Sequence, residues 1–438
     1  MNPFRDRLAP LIPAGLACLM WSAPAAAQDA APPPPAAANL NATGPVPWYV
    51  GASQGFTHDT NVYRTPGGPS DTYSSTSLFG GFDQRISRQR VHGSASVALN
   101  RYFDEKRRDN TSYDFALGLD WETAYSLSGD LDVGLRQHLA APAASSGVPS
   151  TTLNLGRTKS VDARARWGGS SLLTLEGALH HSSIDYSDET YASRESSGNS
   201  GNLTLYYGGG GPLRLGVGGR YDRTETPKAG FDPIIPEFLS NTTTGRHLDF
   251  FADYDLSGQI RANLRLSYTR QTNTLVEAAD FSGWTGRLGV LWKATGKLAF
   301  NAYASRDSGF NSAFGSATFV PPGSPPGTLP VTRLYQDNRL TYAADLGAVY
   351  AATAKIDVNA GGHYTRANLV STGSDPLGPS AVKRTDHQKL FYLGADYAFL
   401  RNGTASCRLE HELRSVSGDN VYSFHSNSIN CHVRLVYR

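Results

Sequence analysis

The sequence predicts an all-β fold: a transmembrane antiparallel up-and-down β-barrel of about eighteen strands (range 16–18), with short periplasmic turns and long extracellular loops. Three observations carry that prediction. From Trp48 onward, apolar and polar residues alternate in segments of ~10 residues. The connections between segments are alternately short and long. Aromatic residues gather at both ends of the apolar rows rather than in their middles.

The elements follow in chain order. Residues 1–27 read as a secretory signal peptide: Arg5 and Arg7 give a positive start, Leu11 to Trp21 is mostly apolar, and Ala25-Ala26-Ala27 supplies small residues before Gln28. A lipoprotein signal using Cys18 is the rival, but Gly15 stands where that motif wants Leu. Residues 28–47 are rich in Ala and Pro and too poor in large apolar side chains to pack, so they read as a disordered periplasmic arm. No later stretch approaches the ~18 apolar residues of a membrane helix.

The barrel is expected over 48–438. In SYDFALGLDWE, residues 112–122, Tyr113, Phe115, Leu117, Leu119 and Trp121 share one face, and Asp114, Gly118, Asp120 and Glu122 the other. The same rhythm recurs in Val91 to Leu99, Leu131 to Leu135, Val161 to Trp167, Leu173 to Leu179 and Leu213 to Tyr221. It continues through Leu248 to Leu256, Leu264 to Tyr268, Trp284 to Trp292, Leu298 to Ala302, Leu340 to Tyr350, Ile356 to Tyr364 and Phe391 to Phe399. Short turns fall near 85–89, 124–129, 168–171, 208–212, 257–258, 294–296, 352–354 and 400–403. Long connections fall near 59–73, 103–111, 140–158, 184–197, 224–245, 271–281, 308–338, 368–386 and 416–423. A chain starting in the periplasm with an even strand count puts every short turn there. Trp48, Trp121, Trp167, Trp292, Tyr350, Phe399 and Tyr437 mark the short-turn end, and Tyr113, Tyr221, Tyr268, Trp284, Tyr342 and Tyr364 the long-loop end. Two aromatic girdles are expected at the two interfaces of a bilayer, whereas a soluble β-sandwich would hold its tryptophans between its sheets.

Composition agrees. Of 438 residues only 39% are hydrophobic and 18% charged, with 45 Gly and 22 Tyr, which is sparse for a soluble core but sufficient where every second strand residue is apolar. A net charge of +2 and no basic run interleaved with aromatics argue against nucleic acid as a partner. Lys106-Arg107-Arg108, set among acidic residues, reads as a solvated loop tip.

The polar rows form the expected inner wall. They carry Arg136, Arg164, Arg166, Arg214, Arg220, Arg261, Arg265, Arg287 and Arg408, together with Asp249, Asp253, Asp345 and Glu410. Taken singly, such charges pair across neighbouring strands and keep the wall wet. Taken together, they line the path of a solute, because a barrel of about 16–18 strands leaves an aqueous channel. Arginine grips carboxylates in two-pronged fashion, so the wall suits a hydroxylated, acidic chain. The Pro- and Gly-rich loop at 308–338 is long enough to gate the mouth.

Cys407 and Cys431 lie on apolar rows of the last two strands, each twelve residues from Asp419. A symmetric final hairpin would place them opposite each other as a candidate disulfide; a one-residue change in the loop would leave two small side chains facing lipid. His180 and His181 point to opposite faces of a strand and cannot share a metal. His411 falls on an outward row without a Ser and carboxylate beside it, so no catalytic set, metal site or cofactor is expected. Gly208 to Gly211 lacks the residues of a phosphate cradle and reads as a turn.

The first hairpin carries His58-Asp59-Thr60-Asn61-Val62-Tyr63-Arg64, and the last carries Arg408-Leu409-Glu410, Asn420-Val421-Tyr422-Ser423 and Asn427. These stretches resemble the Asp-x-Asn-(Val/Ile)-(Phe/Tyr)-Arg signature and the ending of the outer-membrane β-barrel porin family associated with exopolysaccharide biosynthesis operons. The chain departs from many outer-membrane proteins in ending on Arg438 after the aromatic Tyr437. The resemblance implies a pore assisting exopolysaccharide export across the outer membrane. A passive diffusion porin for small sugars or acids and a barrel enzyme acting on lipid or polymer are the alternatives. Its expected partners are outer-membrane lipid, a polysaccharide or sugar, periplasmic export components and the outer-membrane barrel assembly machinery.

Overall fold

The computed structural model describes residues 47–438 apart from 141–151, 170, 209–210, 233–236, 257, 276–279, 312–315, 320–330, 376–377 and 418–421. The expected signal peptide, 1–27, and all of the expected arm but Pro47 lie outside the described residues. Nineteen strands follow in chain order. They are β1 (Trp48–Asp59), β2 (Asp71–Ile86), β3 (Gln89–Tyr102), β4 (Asn110–Glu122), β5 (Leu127–Leu139), β6 (Leu155–Trp167), β7 (Leu173–Tyr186), β8 (Ser196–Tyr207), β9 (Leu213–Asp232) and β10 (Glu237–Leu256). After them come β11 (Ile260–Asn273), β12 (Phe281–Lys293), β13 (Leu298–Asn311), β14 (Ser316–Phe319), β15 (Val331–Ala351), β16 (Ile356–Asp375), β17 (Gly378–Leu400), β18 (Gly403–Ser417) and β19 (Phe424–Tyr437). The short β14 pairs only with β15, in the connection after β13. The remaining eighteen pair antiparallel with their chain neighbours, and β1 pairs β19 as well as β2, which closes the sheet.

The wall is inside out relative to a soluble protein. On β11, Leu264, Leu266 and Tyr268 are 43%, 42% and 45% exposed, while Ser267 and Thr269 on the alternate row are fully buried. The same inversion runs through Leu213, Leu215 and Val217 on β9 and Leu409 on β18. Apolar side chains on an outer surface with polar ones beneath require lipid outside, and a closed ladder leaves no backbone group unpaired in that lipid. No helix among the described residues is long and apolar enough to cross a membrane. The protein is therefore an outer-membrane barrel.

The long-loop side differs from the sequence expectation. Residues 224–245 and 368–386 are mostly strand: β9 and β10 have 20 residues each, β16 has 20 and β17 has 23. A tilted strand crosses a bilayer in ~9–11 residues, so these hairpins rise roughly 30 Å further at ~3.3 Å per residue. Above the membrane both faces meet water, and a ladder can continue there without the apolar alternation that marks a strand in sequence. Of the expected gating loop at 308–338, the described parts begin as ladder: β13 pairs β15 up to Asn311 opposite Asp337, and Ser316 to Phe319 pair with Val331 to Leu334. Residues 312–315 and 320–330 lie outside the described residues.

The seam between β1 and β19 is tied at its long-loop end. The Asp59 carboxylate accepts from the Asn61 amide (2.8 Å), Arg64 Nη1 (2.7 Å) and Ser426 Oγ on β19 (2.5 Å), and Arg64 Nε donates to Glu412 on β18 at 2.8 Å. The Asn61 side chain donates to the carbonyls of Thr65 (2.7 Å) and His425 (3.1 Å). Val62, Tyr63 and Tyr102 form a small buried cluster with Tyr73 packed against it. The Tyr63 hydroxyl donates to Glu105, and burial with that carboxylate pushes its pKa up to about 12. Arg108 is no solvated tip: its guanidinium lies over the Tyr63 and Tyr102 rings, 4.8 Å and 5.5 Å from their centres. The attraction of a cation to a ring face holds it there. The Asp59–Arg64 stretch is thus a knot joining the first strand to the last two.

Cys407 and Cys431 are directly opposed on β18 and β19, with Cα atoms 4.1 Å apart, and form a disulfide. Both sit on the outward rows, level with Phe56 of β1 and Ala395 of β17.

Candidate functional site

The inner wall is built by the alternate residues that the outward rows leave behind. Every sequence-selected lumen residue falls on an inward row of its strand, and most of their charges meet a partner on an adjacent strand or two residues along the same one. Arg136 donates to Asp114 at 2.8 Å, and Arg166 to Glu176 at 2.7 Å with Asp130 3.7 Å away. Arg164 lies 3.9 Å from Asp130. Arg220 reaches Asp249 at 3.2 Å, Arg261 reaches Asp255 at 3.1 Å, and Arg287 reaches Asp307 at 2.6 Å. Arg408 pairs with Glu410 at 2.8 Å, and Asp345 with His363 at 2.5 Å. Asp249 is 2% exposed and also accepts from the buried Ser267 hydroxyl, so it serves the wall rather than the channel. Further cross-strand pairs extend the pattern, notably Arg414 with Asp386 at 2.6 Å and Arg90 with Asp83 at 2.6 Å.

Two of the sequence-selected cations stand outside this pairing among the described residues. Arg265 is directly opposed to Arg287 across β11 and β12, forms no ion pair, and has a buried Nε without a hydrogen-bond partner. Arg214 is opposed in register to Asp253 without an ion pair, and its guanidinium instead lies 3.6 Å from the centre of the Tyr206 ring.

That stack has two counterparts. Arg408 lies 4.0 Å over Tyr392, and Arg434 lies 4.1 Å over Phe79. In each case the ring lies against a glycine of the neighbouring strand: Tyr206 on Gly216, Tyr392 on Gly361, Phe79 on Gly51. A Cβ at Gly216 would come within 2.6 Å of the Tyr206 ring, and one at Gly361 within 2.6 Å of the Tyr392 ring. The glycine lets the ring lie flat on the wall, and the flat ring gives the guanidinium a face to rest on. Three glycine–aromatic–arginine layers therefore project planar cations from the inner surface. The sequence reading named neither Arg434 nor the three rings, because it assigned individual aromatics only on apolar rows. The available signal was an aromatic on a polar row directly opposite a glycine.

No family model matches the chain, and no match was found among curated proteins. Its barrel is similar to several solved structures. One is the outer membrane channel DcaP of Acinetobacter baumannii (10% identity, 89% of this chain and 96% of that one, TM-score 0.43). A second is OpdK of Pseudomonas aeruginosa with vanillate (9%, 89% and 99%, TM-score 0.45). A third is the siderophore receptor PirA of Acinetobacter baumannii (6%, 90% and 81%, TM-score 0.43). At identities this low the likenesses bear on neither substrate nor mechanism.

Proposed function

We propose that the barrel is a pore that assists an acidic exopolysaccharide across the outer membrane. The observation that carries this reading is the set of three arginine-on-aromatic layers, with Arg265 left uncompensated beside Arg287. Flat rings and planar guanidiniums suit pyranose faces and carboxylates, and an extended wall of them holds a long chain weakly at many points, which permits movement. The signature at Asp59–Arg64 and the ending around Arg408–Glu410 and Asn427, which resemble the exopolysaccharide-operon porins, point the same way. A strain lacking the protein should secrete less polymer while its cells still contain the repeat unit. In planar bilayers, acidic oligosaccharides should block the purified barrel more strongly than neutral ones of equal length, and Arg214→Ala with Arg408→Ala should weaken that block. Unchanged secretion together with no difference between acidic and neutral oligosaccharides would overturn the proposal.

Arg265 favours a second reading, a passive porin for small sugars or acids, since one uncompensated cation suffices to select a small anion. Rapid entry of monosaccharide acids into barrel-loaded vesicles, with no block by longer chains, would favour it.

A further inference from the structure

We propose that the outer face of β9, β10 and β11 holds a phosphorylated, multiply acylated glycolipid of the outer leaflet, with its phosphate on Arg223, Arg246 and Arg270. The inference rests on the barrel's place in the outer membrane and is independent of what crosses the lumen. Register fixes the geometry. Arg246 is directly opposed to Tyr221 on one side and to Arg270 on the other, and Arg223 is opposed to Thr244, two residues from Arg246. All three therefore share a face with Tyr221, Leu248 and Tyr268, which are 49%, 49% and 45% exposed on the lipid side. All three arginines are themselves exposed. Each stands one outward position above a large exposed apolar residue of its strand, Tyr221, Leu248 or Tyr268, toward the long loops. That is the depth at which the headgroups of the outer leaflet lie.

Like charges directly opposed on a sheet are destabilising unless an anion lies between them. Among the described residues no protein anion stands between them. None of the three makes an ion pair among the described residues. The acids that share their face are Glu225, one outward step beyond Arg223, and Asp280, which accepts the Asn273 amide at 2.8 Å. A phosphate oxygen set would take guanidinium N–H groups in forked pairs, which a lysine cluster could not do as well.

The wall below them is shaped for a chain. An open depression runs along the lipid face from β4 to β11, where Ala163, Gly177, Gly201 and Gly219 replace the large side chains found elsewhere on the outward rows. A Cβ at Gly219 would meet nothing within 4 Å, so no side chain of the protein fills the space. Leu179 and Leu203, 67% and 58% exposed, form its sides. Arg246 and Arg270 stand at its upper edge. A lipid with its phosphate on the arginines would lay an acyl chain in this depression.

The test is native mass spectrometry and detergent-phase binding of the purified full-length barrel with bisphosphorylated lipid A. Monophosphorylated lipid A, phosphatidylglycerol and inorganic phosphate are the comparison probes. Wild type should retain bisphosphorylated lipid A, bind the monophosphorylated form less well, and show no comparable affinity for the other two. The R223Q/R246Q/R270Q variant should bind lipid A about tenfold more weakly or less. Gly219→Leu should reduce retention of the fully acylated lipid more than of its deacylated form. Arg366→Gln, which removes an outward arginine outside the cluster, should leave retention unchanged. Circular dichroism and heat-dependent gel migration establish that each variant is folded. Equal retention by the folded triple variant, or equal binding of phosphatidylglycerol and lipid A, would overturn the proposal.

Discussion

Arg64→Ala opens the knot at the barrel seam, and its cost can be worked from the structure. Removing one partner of a buried, hydrogen-bonded ion pair costs about 3–5 kcal/mol. The Arg64 side chain keeps 27% of its exposure, against 10% for Asp59 and 16% for Glu412, so water can enter the vacated space and solvate part of the exposed acids. Asp59 also retains the Asn61 amide and the Ser426 hydroxyl. The expected loss is therefore about 2–3 kcal/mol. Pairing the change with Glu412→Ala should recover about 1–2 kcal/mol as coupling, because the second carboxylate no longer lacks its partner. The assay is denaturant unfolding of the barrel refolded into lipid vesicles, followed by tryptophan fluorescence. A folded Arg64→Ala barrel within about 0.5 kcal/mol of wild type, the range of ordinary surface substitutions, would refute the reasoning.

Three further outcomes are expected. Reducing the Cys407–Cys431 bond, which spans 24 residues, should cost roughly 3 kcal/mol in the same unfolding assay if chain entropy dominates, and intact mass should rise by two hydrogen atoms, one on each sulfur. Gly361→Ala should displace the Tyr392 ring and with it Arg408, because the new Cβ would also lie 2.5 Å from the Leu346 carbonyl; single-channel current and its block by acidic oligosaccharides should both change, whereas Gly296→Ala, in open space, should leave them as they are. For Tyr63, whose pKa rises from 10.0 to about 12, the stability contribution is complete below pH 10 and is lost as pH rises through 12. Ultraviolet difference spectra should show one phenol titrating late, and Glu105→Gln should bring that titration earlier.

The barrel was legible because lipid imposes a rule that sequence can carry. Leu248, Phe250, Ala252 and Tyr254 can face only one solvent, so their two-residue period survives in composition. The opposition of Cys407 and Cys431 followed from counting outward from Asp419. What sequence hid were the places where that rule lapses. Above the membrane, residues 224–232 and 237–245 are strand held by backbone ladder and by polar side-chain contacts such as Thr243 to Asn273, and polar residues such as Asn241 to Thr244 give no sign of it in sequence. Arg246 and Arg270 lay just inside the expected ends of their strands, and nothing in the sequence showed that they are directly opposed across β10 and β11. Asp59 to Arg64 looked like a turn, because its partners Glu412 and Ser426 are more than three hundred residues away. On the inner wall, Tyr206 and Gly216 meet only through strand pairing, which a list of apolar rows does not contain.

The cross-link in the final hairpin bears on how the chain finds its alignment. A slip of one position would turn every side chain to the wrong side, so alternation forbids it. A slip of two positions keeps greasy side chains in lipid and wet ones in water, so alternation is blind to it. A covalent tie between opposed positions on the last two strands excludes the slip of two as well. If it forms in the oxidising periplasm, the C-terminal pair reaches the membrane as a template already indexed, with its outward row fixed for the first strand to pair against.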